Sequence, residues 1–557
     1  MKIRKTSIGN LSVKWLKLFL ATILLLGISF RFINLDNKVY WMDETYTALR
    51  ASGYTELEVI QQIRDGNLLN SEDIQKYQYS NSSKSAKDVI QSLADEDPQH
   101  PPLYYLMSKF WVEWLGNNVS TRRSLSAMVS LLALPLIYWL CLELFNSSLV
   151  GLVAAAILAI SPFHVLYAQE ARQYSLWTAT ILFSSASLLW ALRKKSKYIW
   201  IVYSISLTLS LYTFLLSVIV AISHGIYVLT IEGFRLSKTF INYLIASMLG
   251  ILMFLPWMWV VANNITHIDS ITGGSKKLSG LSYYITISKE WLVNLSRIFV
   301  DIIGDSGASS NLLSPITIPL FIIVCSSLIL TIYSMYFIWK NTEKKVWMFV
   351  ITIISVNYIF LILPDLVLGN SRSIVSRLFT PAYIGIQLLI AYFITSILNS
   401  FLVDSWWQKA KLSLVMIFFS LSLISCVIIT QSQTSWAKSI GKYNHLVANV
   451  INQSSNPLLI STNFGGASDV ISLSYYLEPK VKIFAQPTCY TCSFIFSKDS
   501  KLSSQLPSLF NQFSDVFFFN SKLPSELNTQ YKLTPVLLPN TRTGKTFGSE
   551  LWKLEKS

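Results

Sequence analysis

The stretch LVGLVAAAILAISPFHVLYAQEARQYSLWTATILFSSASLLWALRKK, residues 149–195, decides the fold. It holds two apolar runs, each close to the length of about 20 residues that crosses a bilayer. A short polar turn at 167–174 separates the runs, and a basic cluster follows the second one. Two apolar runs with basic residues behind one of them are typical of neighbouring membrane-spanning helices. The stretch therefore predicts a membrane protein, with this turn and this basic cluster on opposite faces.

The same pattern continues along the chain. Of the 557 residues, 52% are hydrophobic and only 13% are charged, whereas soluble domains carry roughly 25% charged residues. This composition excludes a disordered chain and argues against an ordinary soluble enzyme. We predict an all-α polytopic membrane protein with eleven spans, near 14–33, 123–144, 149–166, 175–192, 198–216, 217–232, 239–261, 316–338, 346–363, 379–399 and 412–430.

The positive charge of the chain follows the membrane topology. Lys and Arg exceed Asp and Glu by 45 to 30, a net charge of +15. In a soluble protein this excess would suggest a nucleic-acid partner, but here it lies in short loops, as cytoplasmic loops require. The basic N-terminus and the cluster at 193–197 are both cytoplasmic only if four spans separate them. The apolar segment 102–116 is therefore predicted to lie at the membrane interface.

This topology divides the chain into a membrane domain, 1–430, and a small extracytoplasmic α/β domain, 431–557. The tail contains short β-prone segments at 457–461, 481–484 and 515–519. The first outer loop, 34–122, is acidic, with twelve Asp and Glu against six Lys and Arg between Asp36 and Asp97. The large polar regions thus face away from the cytoplasm.

The five cysteines give no disulfide framework. Only Cys489 and Cys492 are close, in the sequence Cys-Tyr-Thr-Cys. This spacing fits a disulfide, a thiol pair or half of a metal site, although no second pair or neighbouring histidine supports zinc.

The first candidate cluster is Trp41-Met42-Asp43-Glu44-Thr45-Tyr46, shortly after the first span. Burial beside aromatic residues would raise the pKa of Asp43 or Glu44 and suit it to act as a general base. The alternative is that both are solvated loop acids.

Two further clusters lie in other outer segments. His100 precedes two prolines that favour a helix start, where it would hold a phosphate, position the acids or merely pack. Glu170, Arg172 and Tyr174 lie in the turn at 167–174, close to the bilayer, where ionisable residues are costly and often functional. The alternative is a Glu170–Arg172 pair that only shapes the turn.

The fourth cluster, 370–381, contains Arg372 and Arg377 on the outer side, against the positive-inside trend. A guanidinium binds phosphate oxygens in a bidentate manner, so a lipid phosphate or diphosphate would suit either arginine. The alternative is contact with ordinary lipid headgroups.

The order of these motifs resembles the GT-C glycosyltransferases, in particular the protein O-mannosyltransferase and lipid A aminoarabinose transferase group. The resemblance rests on the Asp-Glu pair, on the His-Pro-Pro-Leu helix start at 100–103, on Arg122 and Arg123, and on the Ser-Pro…Glu-Ala-Arg-x-Tyr turn at 161–174. It covers roughly residues 30–400, and the tail only weakly.

The resemblance implies a GT-C fold and transfer of a sugar from a polyprenyl phosphate to a protein, lipid or glycan acceptor. This reaction would take place on the extracytoplasmic face of a bacterial inner (plasma) membrane, away from cytoplasmic substrates. Asp43 corresponds to the family's catalytic base, with Glu44 beside it, and these acids are the candidate ligands if a divalent metal is used.

The resemblance also assigns substrate contacts. Glu170 corresponds to a second-loop acidic contact, with Arg172 and Tyr174 nearby, and His100 stands where the aminoarabinose branch has a lysine. Arg372 and Arg377 resemble donor-phosphate arginines by position. The Glu-Ala-Arg-x-Tyr pattern departs from the aminoarabinose branch, so that branch's acceptor does not transfer to this chain.

Two other functional classes remain open at this stage. A transporter or lipid-linked sugar flippase would also be polytopic, but the sequence has no repeated halves of the kind that transporters often show. A structural or assembly protein whose tail binds partners is the third interpretation.

Overall fold

The computed structural model describes residues 4–64, 66–272, 280–302, 317–399, 405–438, 440–462, 466–492, 502–537 and 549–556. The membrane part contains the helices α1 Arg4–Phe30, α7 Val119–Phe145, α8 Ser148–Ala159, α9 Pro162–Ala168, α10 Tyr174–Lys194, α11 Lys197–Thr213, α12 Ser217–Ile231, α13 Lys238–Asn263, α16 Thr317–Asn341, α17 Lys344–Leu368, α18 Thr380–Asn399 and α19 Trp406–Gln431. The segments between these helices add α2 Met42–Ala51, α3 Glu56–Ile63, α4 Ser71–Gln75, α5 Ala86–Glu96, α6 Leu103–Leu115, α14 Ile265–Thr272 and α15 Leu281–Ser296.

Helices lie at all eleven predicted span positions, but not all are long and apolar enough to cross a membrane. Within the described residues, seven helices meet that test, and the bent pair α8–α9 raises the number to eight. The pair bends by 60°, because Pro162 begins a new helix after Ser161 instead of continuing α8. Helices α11 and α12, with 17 and 15 residues, are shorter than a full span.

The membrane helices pack around a single large apolar core that includes Trp177, Tyr203 and Phe349. Many other apolar side chains of α13, α16 and α19 face outward and are exposed, as expected for helices that contact lipid. The predicted interfacial segment 102–116 forms the 13-residue helix α6. Its exposed Trp114 fits a helix on the bilayer surface, where tryptophan is enriched.

We predict that a cysteine introduced at Ser196, between α10 and α11, resists an impermeant thiol reagent in intact cells. The basic cluster at 193–197 would keep this loop in the cytoplasm. A cysteine introduced at Ser83, in the first outer loop, is the matched control and should react. Strong labelling at position 196 with none at position 83 would contradict the predicted topology and indicate the opposite orientation.

The tail forms the predicted α/β unit. It contains α20 Asn444–Asn452, β1 Pro457–Ser461, α21 Gly466–Ser474, β2 Lys482–Ala485, α22 Leu502–Phe510, β3 Asp515–Phe519, β4 Tyr531–Leu537 and β5 Leu551–Lys556. The sheet order is β2-β1-β3-β5-β4. Strand β1 runs parallel to β2 and β3, whereas β5 is antiparallel to β3 and β4.

One face of this sheet packs against the first outer loop. Successive side chains of a strand alternate between faces, so Leu459 and Phe517 join a core that includes Trp41 and Tyr46 of the first loop. The first loop also pairs with the sheet edge, because the backbone of Leu69 exchanges two hydrogen bonds with Ile483. The tail is therefore fixed over the first loop, which carries three of the predicted site residues, Asp43, Glu44 and His100.

Candidate functional site

The start of helix α2 separates the two adjacent carboxylates. Trp41 is extended, and the helix begins at Met42, so Asp43 and Glu44 both lie in the first turn, where helix dipoles favour negative charge. Neighbouring residues of an α-helix point about 100° apart. The two side chains therefore enter different surroundings.

Glu44 is fully buried in a network of cations. Its carboxylate forms a bidentate pair with Arg123, with both N–O distances at 2.7 Å. Lys438 Nζ lies 3.1 Å away, and the Ala171 backbone N–H donates at 3.0 Å. Burial raises the pKa of Glu44, but Arg123 and Lys438 outweigh it and hold the pKa at about 2. Glu44, predicted beside Asp43 as a catalytic acid, is thus enclosed by cations, whereas Asp43 is partly exposed.

The Asp43 side chain is 19% exposed, unlike that of Glu44. Its Oδ2 lies 3.2 Å from Nη2 of Arg377 and 3.9 Å from Nε of Arg172. Burial raises the pKa of Asp43, but the positive charges of Arg377, Arg172 and His100 lower it by more. The net pKa is therefore below the usual value of an aspartate. The expectation of a raised pKa is therefore wrong, because it counted desolvation and omitted the arginines.

Arg172 joins several of the predicted residues. Its Nη1 donates to the backbone oxygen of Asp43 at 3.2 Å and to Oγ1 of Thr47 at 2.9 Å. Its Nη2 lies 3.3 Å from Nε2 of His100. The Tyr174 ring lies 5.8 Å from the Arg172 guanidinium and 5.2 Å from that of Arg377, within cation–π range. These contacts bring the predicted residues of three separate clusters to Asp43.

His100 sits between opposite charges. Its Nδ1 lies 3.8 Å from Oδ1 of Asp97, on the side opposite Arg172. Burial lowers the pKa of His100 below its usual value, and Arg172 lowers it as well, against the opposing effect of Asp97. The imidazole thus bridges Asp97 and Arg172.

Glu170 is fully buried, and neither carboxylate oxygen has a hydrogen-bond partner among the described residues. Lys438 Nζ lies 3.8 Å from one of these oxygens. Burial raises the pKa of Glu170 despite that lysine. Arg172 pairs with Asp43, so the alternative of an internal Glu170–Arg172 pair does not describe this turn.

Lys438 is a site residue that sequence analysis missed. It follows α19 and is fully buried between Glu44 and Glu170, with Nζ 5.4 Å from the Trp41 ring centre. A single lysine after the last span resembles any solvated loop cation. No local signal marks it, because its partners lie hundreds of residues earlier.

Arg372 is the predicted residue that the structure places outside the cluster. Its side chain is 47% exposed, and Nη2 lies 3.7 Å from Oδ1 of Asp269. It therefore lies on the exposed surface near α14 and not beside Asp43.

The carboxylates of Asp43 and Glu44 do not suit a divalent metal. Four basic side chains already face them, from Arg123, Arg172, Arg377 and Lys438, and a divalent cation would add positive charge beside them. Glu96, Cys489 and Cys492 form the one His/Cys/Asp/Glu group of metal-binding spacing within the described residues. The two cysteines are joined in a disulfide, so they do not offer thiolate ligands.

Comparison with known proteins gives both a sequence match and structural matches. The sequence profile of the dolichyl-phosphate-mannose-protein mannosyltransferase family matches residues 99–259. ArnT from Cupriavidus metallidurans bound to undecaprenyl phosphate has a TM-score of 0.50 and 10% identity, covering 97% of this chain and 98% of that chain. The same ArnT in the apo state has a TM-score of 0.50 and 9% identity, with the same coverage.

A third structure, archaeal oligosaccharyltransferase AglB from Archaeoglobus fulgidus with an inhibitory peptide and a dolichol-phosphate, has a TM-score of 0.45 and 12% identity. That match covers 87% of this chain and 61% of AglB. No curated protein matches the sequence. The fold is thus that of ArnT, and the chain resembles the GT-C glycosyltransferases of the protein O-mannosyltransferase and ArnT group, as its motifs predicted.

Proposed function

We propose that this chain is an integral membrane glycosyltransferase that moves a sugar from a polyprenyl phosphate to an acceptor hydroxyl. The observation that carries the proposal is Asp43, an ionised and partly exposed carboxylate faced by Arg172 and Arg377 at the end of an apolar helix bundle. The solved ArnT complex with undecaprenyl phosphate supports a lipid-phosphate donor. The acceptor is a protein, lipid or glycan.

The arginines suit the leaving group of this reaction. A guanidinium that donates two N–H groups to a phosphate binds it more strongly than it binds a carboxylate through a single contact. The Arg377 side chain is 21% exposed, so a donor phosphate can reach it and draw it from Asp43. Losing that contact raises the pKa of Asp43, which makes the carboxylate a better base.

The proposed step then balances as follows. The acceptor oxygen bonds to the anomeric carbon while the bond from that carbon to the phosphate oxygen breaks. Asp43 takes the acceptor proton, and the polyprenyl phosphate leaves with its negative charge stabilised by Arg377 and Arg172. Glu44, paired with Arg123 and Lys438, holds the start of α2 in place.

We expect Arg377→Ala to weaken donor binding about 10–100-fold, because a charge-assisted hydrogen bond is worth about 1.5–3 kcal/mol. The half-saturating concentration of a labelled polyprenyl-phosphate sugar measures this loss. Arg372→Ala is the matched control, since that exposed arginine lies on the same outer segment but away from Asp43. Equal donor titrations for wild type and Arg377→Ala would contradict the assignment of Arg377 to the donor phosphate.

The proposed location is a bacterial inner (plasma) membrane, with the reaction on the extracytoplasmic face. The acidic first loop and the tail share one core beside the site, and the positive-inside rule assigns the basic turns to the opposite, cytoplasmic face. Mass spectrometry of glycans, glycolipids and glycoproteins from a deletion strain tests the function. The proposal expects one sugar to be missing from one acceptor and restored by the wild-type gene. Identical profiles in both strains, under conditions that express the protein, would contradict it.

A further inference from the structure

The tail contributes a short cross-linked turn to the neighbourhood of the site. A disulfide joins Cys489 and Cys492, so Tyr490 and Thr491 lie in a closed turn. The backbone N–H groups of Tyr490 and Thr491 donate to Oε2 of Glu56, at 3.0 and 2.8 Å, and the Thr491 hydroxyl donates to the same oxygen at 2.7 Å. Because Glu56 belongs to α3, the turn is held against the first outer loop.

The turn is also connected to the edge of the site. Nη2 of Arg50 donates to Oγ1 of Thr491 at 2.9 Å. Nε of the same arginine lies 2.6 Å from Oδ2 of Asp97, the acid that flanks His100. Arg50 is fully buried, so its pairing with Asp97 has no competition from bulk water. A continuous set of polar contacts therefore runs from the disulfide turn to His100.

One face of helix α2 aligns the turn with the candidate base. Asp43, Tyr46, Thr47 and Arg50 are spaced i, i+3, i+4 and i+7, and residues so spaced share a helix face. The ring centre of Tyr490 lies 6.2 Å from that of Tyr46. Tyr490 thus contacts Tyr46, the residue that lies about one helical turn after Asp43 on the same face of α2.

Tyr490 is the open member of this aromatic pair. It is 46% exposed, whereas Tyr46 is 8% exposed and its hydroxyl donates to Glu56. Partial burial raises the pKa of the Tyr490 phenol, and the charge of Asp43 contributes to the same shift, which is consistent with their proximity. An exposed aromatic side chain that is fixed by its backbone beside the helix face carrying the proposed base is placed to contact a substrate.

We propose that the turn Cys489–Cys492 forms the acceptor side of the site and that Tyr490 contacts the acceptor, a saccharide. This inference rests on the proposed function. The donor phosphate is assigned to Arg172 and Arg377, so a side chain of the tail near Asp43 meets the other substrate. Tyrosine offers a flat apolar face and a hydroxyl at its tip, which match the C–H face and the hydroxyl groups of a sugar ring.

The test uses full-length enzyme purified in detergent, a radiolabelled polyprenyl-phosphate sugar as donor and the glycan and glycolipid fraction of a deletion strain as acceptor. Tyr490→Ala is expected to raise the half-saturating amount of this fraction about tenfold, the size of one lost aromatic contact, with an unchanged donor titration. Tyr490→Phe should retain most of the acceptor affinity. The control Leu446→Ala removes a tail side chain of similar exposure, 40%, from helix α20 and should change neither titration.

The disulfide provides a second variant that leaves Tyr490 in place. Cys489→Ser combined with Cys492→Ser opens the turn and should weaken the acceptor in the same direction, again without changing the donor titration. An unchanged acceptor titration in both Tyr490→Ala and the double serine variant would overturn the inference. Equal effects on donor and acceptor would do so too.

The label itself distinguishes the remaining outcomes. Its appearance on serine or threonine of a protein fraction, and not on the glycan or glycolipid fraction, would overturn a saccharide acceptor. If wild-type enzyme consumes no donor with any acceptor fraction or with water, the proposed function fails, whereas normal wild-type transfer with unaffected Tyr490 variants fails only this inference.

Discussion

Asp43→Asn is expected to lower sugar transfer by about 10²–10⁴-fold, the usual contribution of a positioned general base. Asparagine keeps the shape of the side chain but cannot accept the acceptor's proton. The change also frees Arg172 and Arg377 from a nearby negative charge, so donor binding should be retained or strengthened. Turnover and donor titration of purified enzyme, measured side by side, separate these effects.

The matched control is Asp95→Asn, which alters an exposed acid of the same outer loop and should leave transfer unchanged. Thermal unfolding in detergent shows whether Asp43→Asn remains folded. Full activity of a folded Asp43→Asn variant would remove the assignment of Asp43 as base. A loss of donor binding instead of turnover would assign Asp43 to holding the arginines.

The second large effect is expected for Arg123→Met, which removes the bidentate partner of Glu44. Both side chains are fully buried, and breaking a buried ion pair from one side costs about 3–5 kcal/mol; Lys438 remains as a partner of Glu44 at 3.1 Å, so we expect the lower part of that range. Arg123 also donates to the backbone oxygens of Leu35 and Lys38, at 2.7 and 2.9 Å, so the segment before α2 loses its anchor. The midpoint of thermal unfolding in detergent should fall sharply.

The double variant Glu44→Gln with Arg123→Met tests the cause of that loss. Neutralising the Glu44 carboxylate, which has lost its bidentate partner, should restore part of the unfolding midpoint. The effects of the two changes should therefore not be additive. Lys345→Met removes a partner from the exposed pair with Glu343 and should change the midpoint little. If Arg123→Met is as stable as wild type, the ion pair does not hold α2, and Glu44 needs another explanation.

The sequence predicted the helical bundle well because bilayer spans carry a strong local signal, long apolar runs with basic ends. It also located the strands at 457–461 and 515–519 to the residue. The break between α8 and α9 was missed, because 149–166 reads as one apolar run despite Pro162. Strands β4 and β5 were missed as well, since their residues alternate only weakly between apolar and polar.

The sequence predicted most residues of the candidate site but not the charges that surround each of them. Local motifs identified Asp43, His100, Arg172, Tyr174 and Arg377, which the structure brings together. They could not separate Asp43 from Glu44, since the difference lies in the direction that each side chain takes from α2. No local motif could predict the contact of Lys438 with Glu44 either, because the two residues lie 394 positions apart in the sequence. The sign of the pKa shift at Asp43 depends on arginines that only the fold brings near.

Transfer of a radiolabelled sugar from a polyprenyl phosphate, measured with full-length wild type and Asp43→Asn in parallel, tests the proposed function most directly. The deletion-strain membrane fraction supplies the acceptor, and thin-layer separation distinguishes intact donor from labelled product. The predicted result is label on the acceptor with wild type and intact donor with the folded Asp43→Asn variant. Intact donor in every reaction, with every polyprenyl-linked sugar supplied, or equal transfer by the two proteins, would contradict it.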